Sequence, residues 1–405
     1  MYCKDYFVQL LLKYNVKDVF GLPGGVVLDL LSSVNEKLKA HLAFHEQDAV
    51  FAAMGYARST NSLGVAYATR GPGITNTLTA VADAFYDSVP IVVITGHSTN
   101  LPKKNMRVMS DQEIDIVKIF SPITKKCIRI DSADNFPKII ESMFKEALSG
   151  RQGPVLLDIK SDIWNKKITY DKSKQINKIK NIQKKAAYSL EKSRLKDGLR
   201  QIKKELINAN RPLLLLGDGF RGQKSATEKI IKFSSKYKIP ILTGRFSQDI
   251  FKKATNYYGY IGSHGLRSGN LIFSKTDLII AIGNRMHYPI ESKSWSPLMN
   301  KIKVLRFDID KEEFHRKIPN SLTFNIDLSI LCNHLNKIKK DYIFNKKWIS
   351  VCKKITKKLI SYDVDYPIPL IRSILNKSKS NWPIICDVGN NEFWVARAYF
   401  ESYKF

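Results

Sequence analysis

Several things are missing from this protein, and each absence narrows what it can be. Its 405 residues hold no apolar run near the ~18 needed to cross a bilayer, which excludes a membrane-spanning helix. The N-terminus, Met1 to Tyr6, leads into an amphipathic pattern rather than a signal-peptide core with a cleavage site, so the cytoplasm is the expected location. Five cysteines (Cys3, Cys127, Cys332, Cys352, Cys386) are odd in number and form no Cys-x-x-Cys pair, so neither a disulfide framework nor a zinc site is indicated, and no metal ligand is named. Acidic residues are scarce, 37 against 66 Lys and Arg, and the resulting charge of +29 taken alone suggests nucleic acid or an anionic surface as partner. The excess, however, is Lys spread over helix faces and one linker, without aromatic interleaving or a recognised module. Neither nucleic acid nor a membrane is therefore expected as a partner.

What is present describes a globular protein: 44% hydrophobic, 25% charged, with length for two or three domains. The first ~165 residues alternate helix and strand patterns, as an open α/β sheet does. Phe7, Leu10, Leu11 and Tyr14 space a first helix, followed by the strand Asp18 to Gly21, a Pro23-Gly24-Gly25 turn and a helix from Leu28 to about Leu38. A helix over Ala49 to Arg58, a strand over Gly64 to Thr69, a helix over Thr75 to Tyr86 and a strand over Pro90 to Gly96 come next. A loop, two helices and the strand Gly153 to Ile159 complete the series. Residues 166–190 read as a basic linker: Asn165 to Ser189 holds eight lysines, one acid (Asp171) and no Gly or Pro. A second α/β domain is expected over 191–345, opening with a helix from about Leu195 and carrying strands at Pro212, Ile239, Asp277 and Lys303. A third α/β segment over 365–405 holds a predicted strand, Pro383 to Gly389. A strand and part of a helix bury no core, so this domain reads as begun and incomplete.

Chemistry concentrates between Phe44 and Thr95. Glu46, in His45-Glu46-Gln47, is a carboxylate ahead of a small-residue helix, and a helix cap is its simplest role. It has company. Pro23-Gly24-Gly25, Gly71-Pro72-Gly73-Ile74-Thr75-Asn76 and Asp111-Gln112-Glu113 also lie near strand ends or helix starts, and in a parallel sheet such ends share the edge where ligands bind.

Together with Phe20-Gly21-Leu22-Pro23-Gly24-Gly25, Gly55-Tyr56-Ala57-Arg58 and Gln112-Glu113-Ile114-Asp115-Ile116-Val117, these motifs resemble, in order, the acetolactate synthase family of thiamine-diphosphate enzymes. The resemblance implies a pyrimidine-binding domain over 1–165, a central domain over 191–345, and in Asp387 to Trp394 the opening of a diphosphate-binding domain, truncated on its C-terminal side. It implies that Glu46 is the carboxylate that holds a ring nitrogen of the cofactor's aminopyrimidine. By the same resemblance Pro72 and Asn76 line the cofactor, and Gly25 faces the reacting carbon across a subunit boundary. Gln112 reaches towards the substrate, a plain helix cap being its alternative. His45 either packs beside the Glu46 loop or titrates during turnover. Gly389, Asn390 and Asn391 match positions touching the diphosphate, while the Mg²⁺ ligands of the family lie beyond Phe405.

The central domain resembles one that holds FAD in acetolactate synthases and stands empty in related decarboxylases. Gly217, Gly219, Gly262, His264, Gly283, Arg285 and Asp308 are the candidate flavin residues, although Met286-His287-Tyr288 replaces the family's acidic pair and second Arg. Two further departures are Arg70, where a small polar residue is usual, and Asp111, where acetolactate synthases carry an aromatic. The implied reaction is decarboxylation of a 2-oxo acid such as pyruvate and carboligation to a second carbonyl. A simple decarboxylase, another carboligase, or a silent dimerising protein without the Mg²⁺ and diphosphate site are the alternatives. A homodimer or dimer of dimers, a regulatory subunit, and a place in branched-chain amino-acid or surface-sugar biosynthesis belong to the same expectation.

Overall fold

The computed structural model describes residues 1–98, 111–169, 182–286, 296–338, 346–360, 367–379 and 382–404. The protein divides into two compact units, Met1–Lys178 and Ile179–Phe405. Each is built on a six-stranded, all-parallel sheet covered by helices, the α/β class read from the alternation of patterns.

In the first unit the strands are β1 (Asp18–Gly21), β2 (Lys39–Leu42), β3 (Gly64–Tyr67), β4 (Ile91–His97), β5 (Lys126–Ile130) and β6 (Val155–Lys160), in the order β2-β1-β3-β4-β6-β5. Central β3 and β4 are buried along their whole length, because helices cover both faces of a parallel sheet. Alternate side chains feed two cores. Val65, Val92 and Ile94 join α1 (Cys3–Lys13), α2 (Leu28–Lys37) and the later α7 (Phe136–Leu148) on one side. Ala66, Ile91 and Val93 join α3 (Glu46–Thr60) and α5 (Leu78–Tyr86) on the other. Phe7 and Leu11 of α1 are fully buried, with Phe7 edge-on to Phe144 and Trp164, both rings 5.6 Å away. An antiparallel bridge from Tyr2 to Lys167 ties the two ends of this unit together.

The sequence reading misses β2 and β5. Both are edge strands whose Lys39, His41, Lys126 and Arg129 leave no apolar run. The helix expected over Thr75 to Tyr86 is two helices, α4 (Pro72–Asn76) and α5, because the turn beginning at Gly71 sets the first axis and Thr77 ends it. A short α6 (Ile116–Phe120) follows Asp115, whose carboxylate accepts the Lys118 N–H as N-cap.

The second unit has strands β7 (Pro212–Leu216), β8 (Ile241–Thr243), β9 (Tyr257–Tyr260), β10 (Leu278–Ile282), β11 (Lys303–Asp308) and β12 (Ser321–Asn325), in the order β12-β11-β10-β7-β8-β9. Helix α8 runs Ile182–Asn208, so the second part of the expected linker is helical. Lysine is a good helix former, and no Gly or Pro interrupts the run from Ile182 to Asp197. The rest of that linker, 170–181, lies outside the described residues. The predicted strand over Pro383 to Gly389 joins no ladder among the described residues, and Ile385 and Val388 are about nine-tenths exposed. The segment set apart as a third domain contributes Ala396 and Phe400 to the core of this second unit, Phe400 edge-on to Tyr257 at 5.9 Å.

Candidate functional site

Four loops of the first unit meet at the carboxyl edge of its sheet, and glycine contacts show how closely. A Cβ at Gly24 would stand 2.4 Å from the Thr69 Cβ, which brings the loop after β1 against the end of the segment after β3. Gly71 has φ +62, and a Cβ there would meet the Gln112 carbonyl oxygen at 2.3 Å. Only glycine satisfies both the backbone and the contact. Gly25, by contrast, faces open space: nothing lies within 4 Å of where its Cβ would be.

Glu46 opens α3, but it is not the cap. His45 is, and its Nδ1 accepts the Gln47 N–H at 3.2 Å. His45 is exposed, so it neither packs in a core nor touches Glu46 through its ring hydrogen bond. The Glu46 carboxylate is instead buried, 6% exposed, at the positive end of the helix dipole. Its Oε2 accepts from Asn76 Nδ2 at 3.0 Å, and no hydrogen bond reaches Oε1 among the described residues. A Cβ at Gly73 would sit 3.2 Å from that Oε1 and 2.6 Å from Thr69 Cγ2, so glycine keeps the space beside the oxygen clear. A sheltered carboxylate with one oxygen held and the other unclaimed suits a ligand nitrogen that carries a proton. The residues present therefore fit the pyrimidine of thiamine diphosphate. Pro72 sits at the first turn of α4 and is exposed, as is Asn76 at its end.

Gln112 is exposed and holds φ +57, uncommon outside glycine and asparagine. Since Asp115 caps α6, the plain capping role for Gln112 falls away. The residues that hold its loop were missed in sequence. Glu113 is buried, and its Oε1 takes the Ser98 N–H, the Ser98 hydroxyl at 2.7 Å and Arg70 Nη1 at 3.3 Å. The available signal was Arg70 itself, a cation where the resemblance leads one to expect a small polar residue.

A second buried group was also missed. His97, 2% exposed, sets Nδ1 2.9 Å from Asp158 and Nε2 2.9 Å from Asp131, while Arg129 lies 3.1 Å from Asp131 and 3.6 Å from Asp158. It joins β4, β5 and β6, next to Ser98.

The remaining candidates lie in the second unit. Gly389 (φ +147) turns the backbone into the helix Asn390–Lys404, and Asn391 Nδ2 bonds back to the Asp387 carbonyl at 3.2 Å. The loops named for a flavin are engaged with one another. Gly219 N–H donates to the Gly283 carbonyl at 3.2 Å, and a Cβ at Gly217 would stand 2.1 Å from that same oxygen. Asn270 binds both the N–H and the carbonyl of Gly262, and the His264 ring stacks on Phe393 at 3.9 Å. The Arg285 carbonyl and the Asp308 carboxylate accept from Arg306 and the Asp310 N–H. Gly217, Gly219 and Gly283 pack loop against loop, whereas nothing lies within 4 Å of a Cβ at Gly262; His287 and Tyr288 lie outside the described residues. No group of three or more His, Cys, Asp or Glu gathers as a metal site among the described residues. Burial raises the Cys3 thiol to about 11 and those of Cys127, Cys332 and Cys352 to about 12, which keeps them neutral and unreactive.

Comparison with known proteins gives the same direction. Residues 1–119 match the thiamine pyrophosphate enzyme N-terminal TPP binding domain, and 199–335 match the thiamine pyrophosphate enzyme central domain. A probable acetolactate synthase large subunit of Methanococcus aeolicus is 31% identical, the alignment covering 98% of this chain and 69% of that protein. The acetolactate synthase large subunit of Lactococcus lactis is 29% identical over 97% and 68%, and that of Escherichia coli isozyme 2 is 29% identical over 97% and 69%.

Proposed function

Because this chain belongs to the acetolactate synthase family of thiamine-diphosphate enzymes, we propose that it decarboxylates a 2-oxo acid such as pyruvate and joins the two-carbon unit to a second carbonyl. The observation that carries the reading is the sheltered Glu46 carboxylate, held through Oε2 by Asn76 and clear at Oε1 beside Gly73. Thiamine diphosphate, when bound, would supply the nucleophilic carbon and the electron sink for the bonding pair left behind when CO₂ departs. Glu46 holds the proton shared with a pyrimidine nitrogen. Asn76 keeps the carboxylate aimed, and Pro72 lines the same turn. Gly25 leaves its side of the loop clear for the reacting carbon, and Gln112 reaches towards the substrate. Gly389, Asn390 and Asn391 serve the diphosphate, and Mg²⁺ accompanies it without a ligand assigned from this protein. The proposed chemistry passes no electrons to or from a flavin, so FAD, the further cofactor proposed for the central domain, is assigned no step in it.

The proposed assembly is a homodimer or a dimer of dimers. α3 and α5 turn Phe51, Ala52, Gly55, Leu78 and Tyr86 outward, an apolar and partly small-residue surface suited to a second copy. A regulatory subunit is proposed because the relatives are called large subunits. No helix among the described residues is long and apolar enough to cross a membrane, and the proposed location is the cytoplasm. The test is to incubate the protein with thiamine diphosphate, Mg²⁺ and pyruvate, and to measure CO₂ together with carboligation products. Cofactor-dependent release of both is expected; no release at saturating cofactor would overturn the proposal.

A further inference from the structure

Arg70 and Asp111, two positions of the first unit where this sequence departs from the family motifs, face each other in the structure. Arg70 follows β3 and immediately precedes Gly71. One prong of its guanidinium is fixed: Nη1 lies 3.3 Å from Glu113 Oε1 and donates to the Ser98 hydroxyl. The Glu113 side chain is 2% exposed, so this anchor is sheltered from water. The other prong, Nη2, faces Asp111 Oδ2 at 3.8 Å, too long for a hydrogen bond, and the Asp111 side chain is 86% exposed. An exposed pair of that length holds with at most ~1 kcal/mol. Gln112 lies between the two acids, and its carbonyl packs against Gly71.

With Nη1 anchored, the Nε–Nη2 edge, which Asp111 occupies only loosely, offers a carboxylate two parallel N–H donors. Two carboxylates enter the reaction proposed above, that of the donor and that of a 2-oxo-acid acceptor. The donor loses its carboxylate as CO₂, and a fork that stabilised it as an anion would oppose that loss. The acceptor keeps its carboxylate throughout. Resting on the function proposed above, we propose that Arg70 is a specificity residue that takes the carboxylate of the acceptor acid. Asp111 occupies the same guanidinium edge until the acid displaces it. The site accordingly prefers an acid acceptor over an aldehyde, by a margin that Asp111 tempers.

The test uses the full-length protein and two unreactive probes of similar shape, oxamate with a carboxylate and oxamide without one, titrated by calorimetry. The parent should bind oxamate more tightly than oxamide. Asp111→Asn should tighten oxamate about 3- to 10-fold, and Arg70→Ala should weaken it about 10-fold or more, each with little effect on oxamide. Arg70→Lys retains a charge for Glu113 but loses the fork, and should also weaken oxamate, which separates recognition from a folding defect. With cofactor present and pyruvate and acetaldehyde competing as acceptors, both Arg70 variants should shift the product ratio towards the aldehyde-derived ketol. Parent binding of oxamate no tighter than of oxamide, or equal losses for both probes in Arg70→Lys, would overturn the inference. Absence of CO₂ release would overturn the proposed function instead, and the oxamate titration would still decide the role of Arg70.

Discussion

Glu46 occupies a position that a structural carboxylate seldom keeps: sheltered, beside a glycine that holds its environment open, and with one oxygen unclaimed. The partner Asn76 is what aims it. Asn76→Ala should destabilise the folded protein by about 1–3 kcal/mol, because it strips a charged acceptor of its hydrogen bond, and should weaken thiamine diphosphate binding in a calorimetric titration. Gly73→Ala should weaken that binding further at little cost in secondary structure by circular dichroism, since the added Cβ stands 3.2 Å from Oε1. Unaltered cofactor affinity in Gly73→Ala would show that the oxygen is not the one used. At this scale the sequence was legible where chemistry is local. Glu46 and the Gly-Pro-Gly turn stand out as polar and glycine-rich loops in the sequence, and the family resemblance is what points to Asn76. The Arg70–Glu113–Ser98 anchor cannot, because its members come from the ends of β3 and β4 and from a loop, and only the parallel sheet brings them together.

Among the elements, the turn after β3 is the most constrained. At Gly71 a left-handed backbone and a Cβ contact of 2.3 Å with the Gln112 carbonyl coincide, so Gly71→Ala must move the Gln112 loop as well as strain its own residue. A loss of about 1–3 kcal/mol in urea denaturation is expected, with a fall in turnover larger than the fall in stability predicts. The β4–β6–β5 side depends on His97. His97→Ala would leave Asp158, 1% exposed, with Arg129 3.6 Å away, and should cost about 3–5 kcal/mol, seen as a lowered urea midpoint. An effect below ~1 kcal/mol would mean that the buried acids do not rely on the imidazole. Element recognition from sequence followed apolar content more than burial, since β9, Tyr-Tyr-Gly-Tyr, is buried along its length and is missing from the sequence reading. Strands β3, β4, β7 and β10, fully buried and mostly apolar, were plain. Edge strands β2, β5 and β12, with half-exposed residues, carried no such run.

At the scale of the molecule, each unit closes its own sheet and its own cores. Residues 1–169 include every strand of the first sheet and the Tyr2–Lys167 bridge, and should fold alone with a single cooperative thermal transition. A fragment that remained unfolded would refute the independence of that unit. The α/β class was readable because helix and strand patterns alternate along the whole sequence. What sequence could not supply was the packing of 390–404: the apolar residues Ala396 and Phe400 fit a new domain or an existing core equally well, and here they enter the second unit's core. The proposed chemistry rests on one carboxylate. Its decisive assay is CO₂ release from pyruvate by the parent protein and by Glu46→Gln, at saturating thiamine diphosphate and Mg²⁺, with melting temperatures taken alongside. Turnover by the parent and a fall of roughly 10²- to 10⁴-fold in the variant at an unchanged melting temperature are expected, whereas equal release from both proteins would remove Glu46 from the reaction.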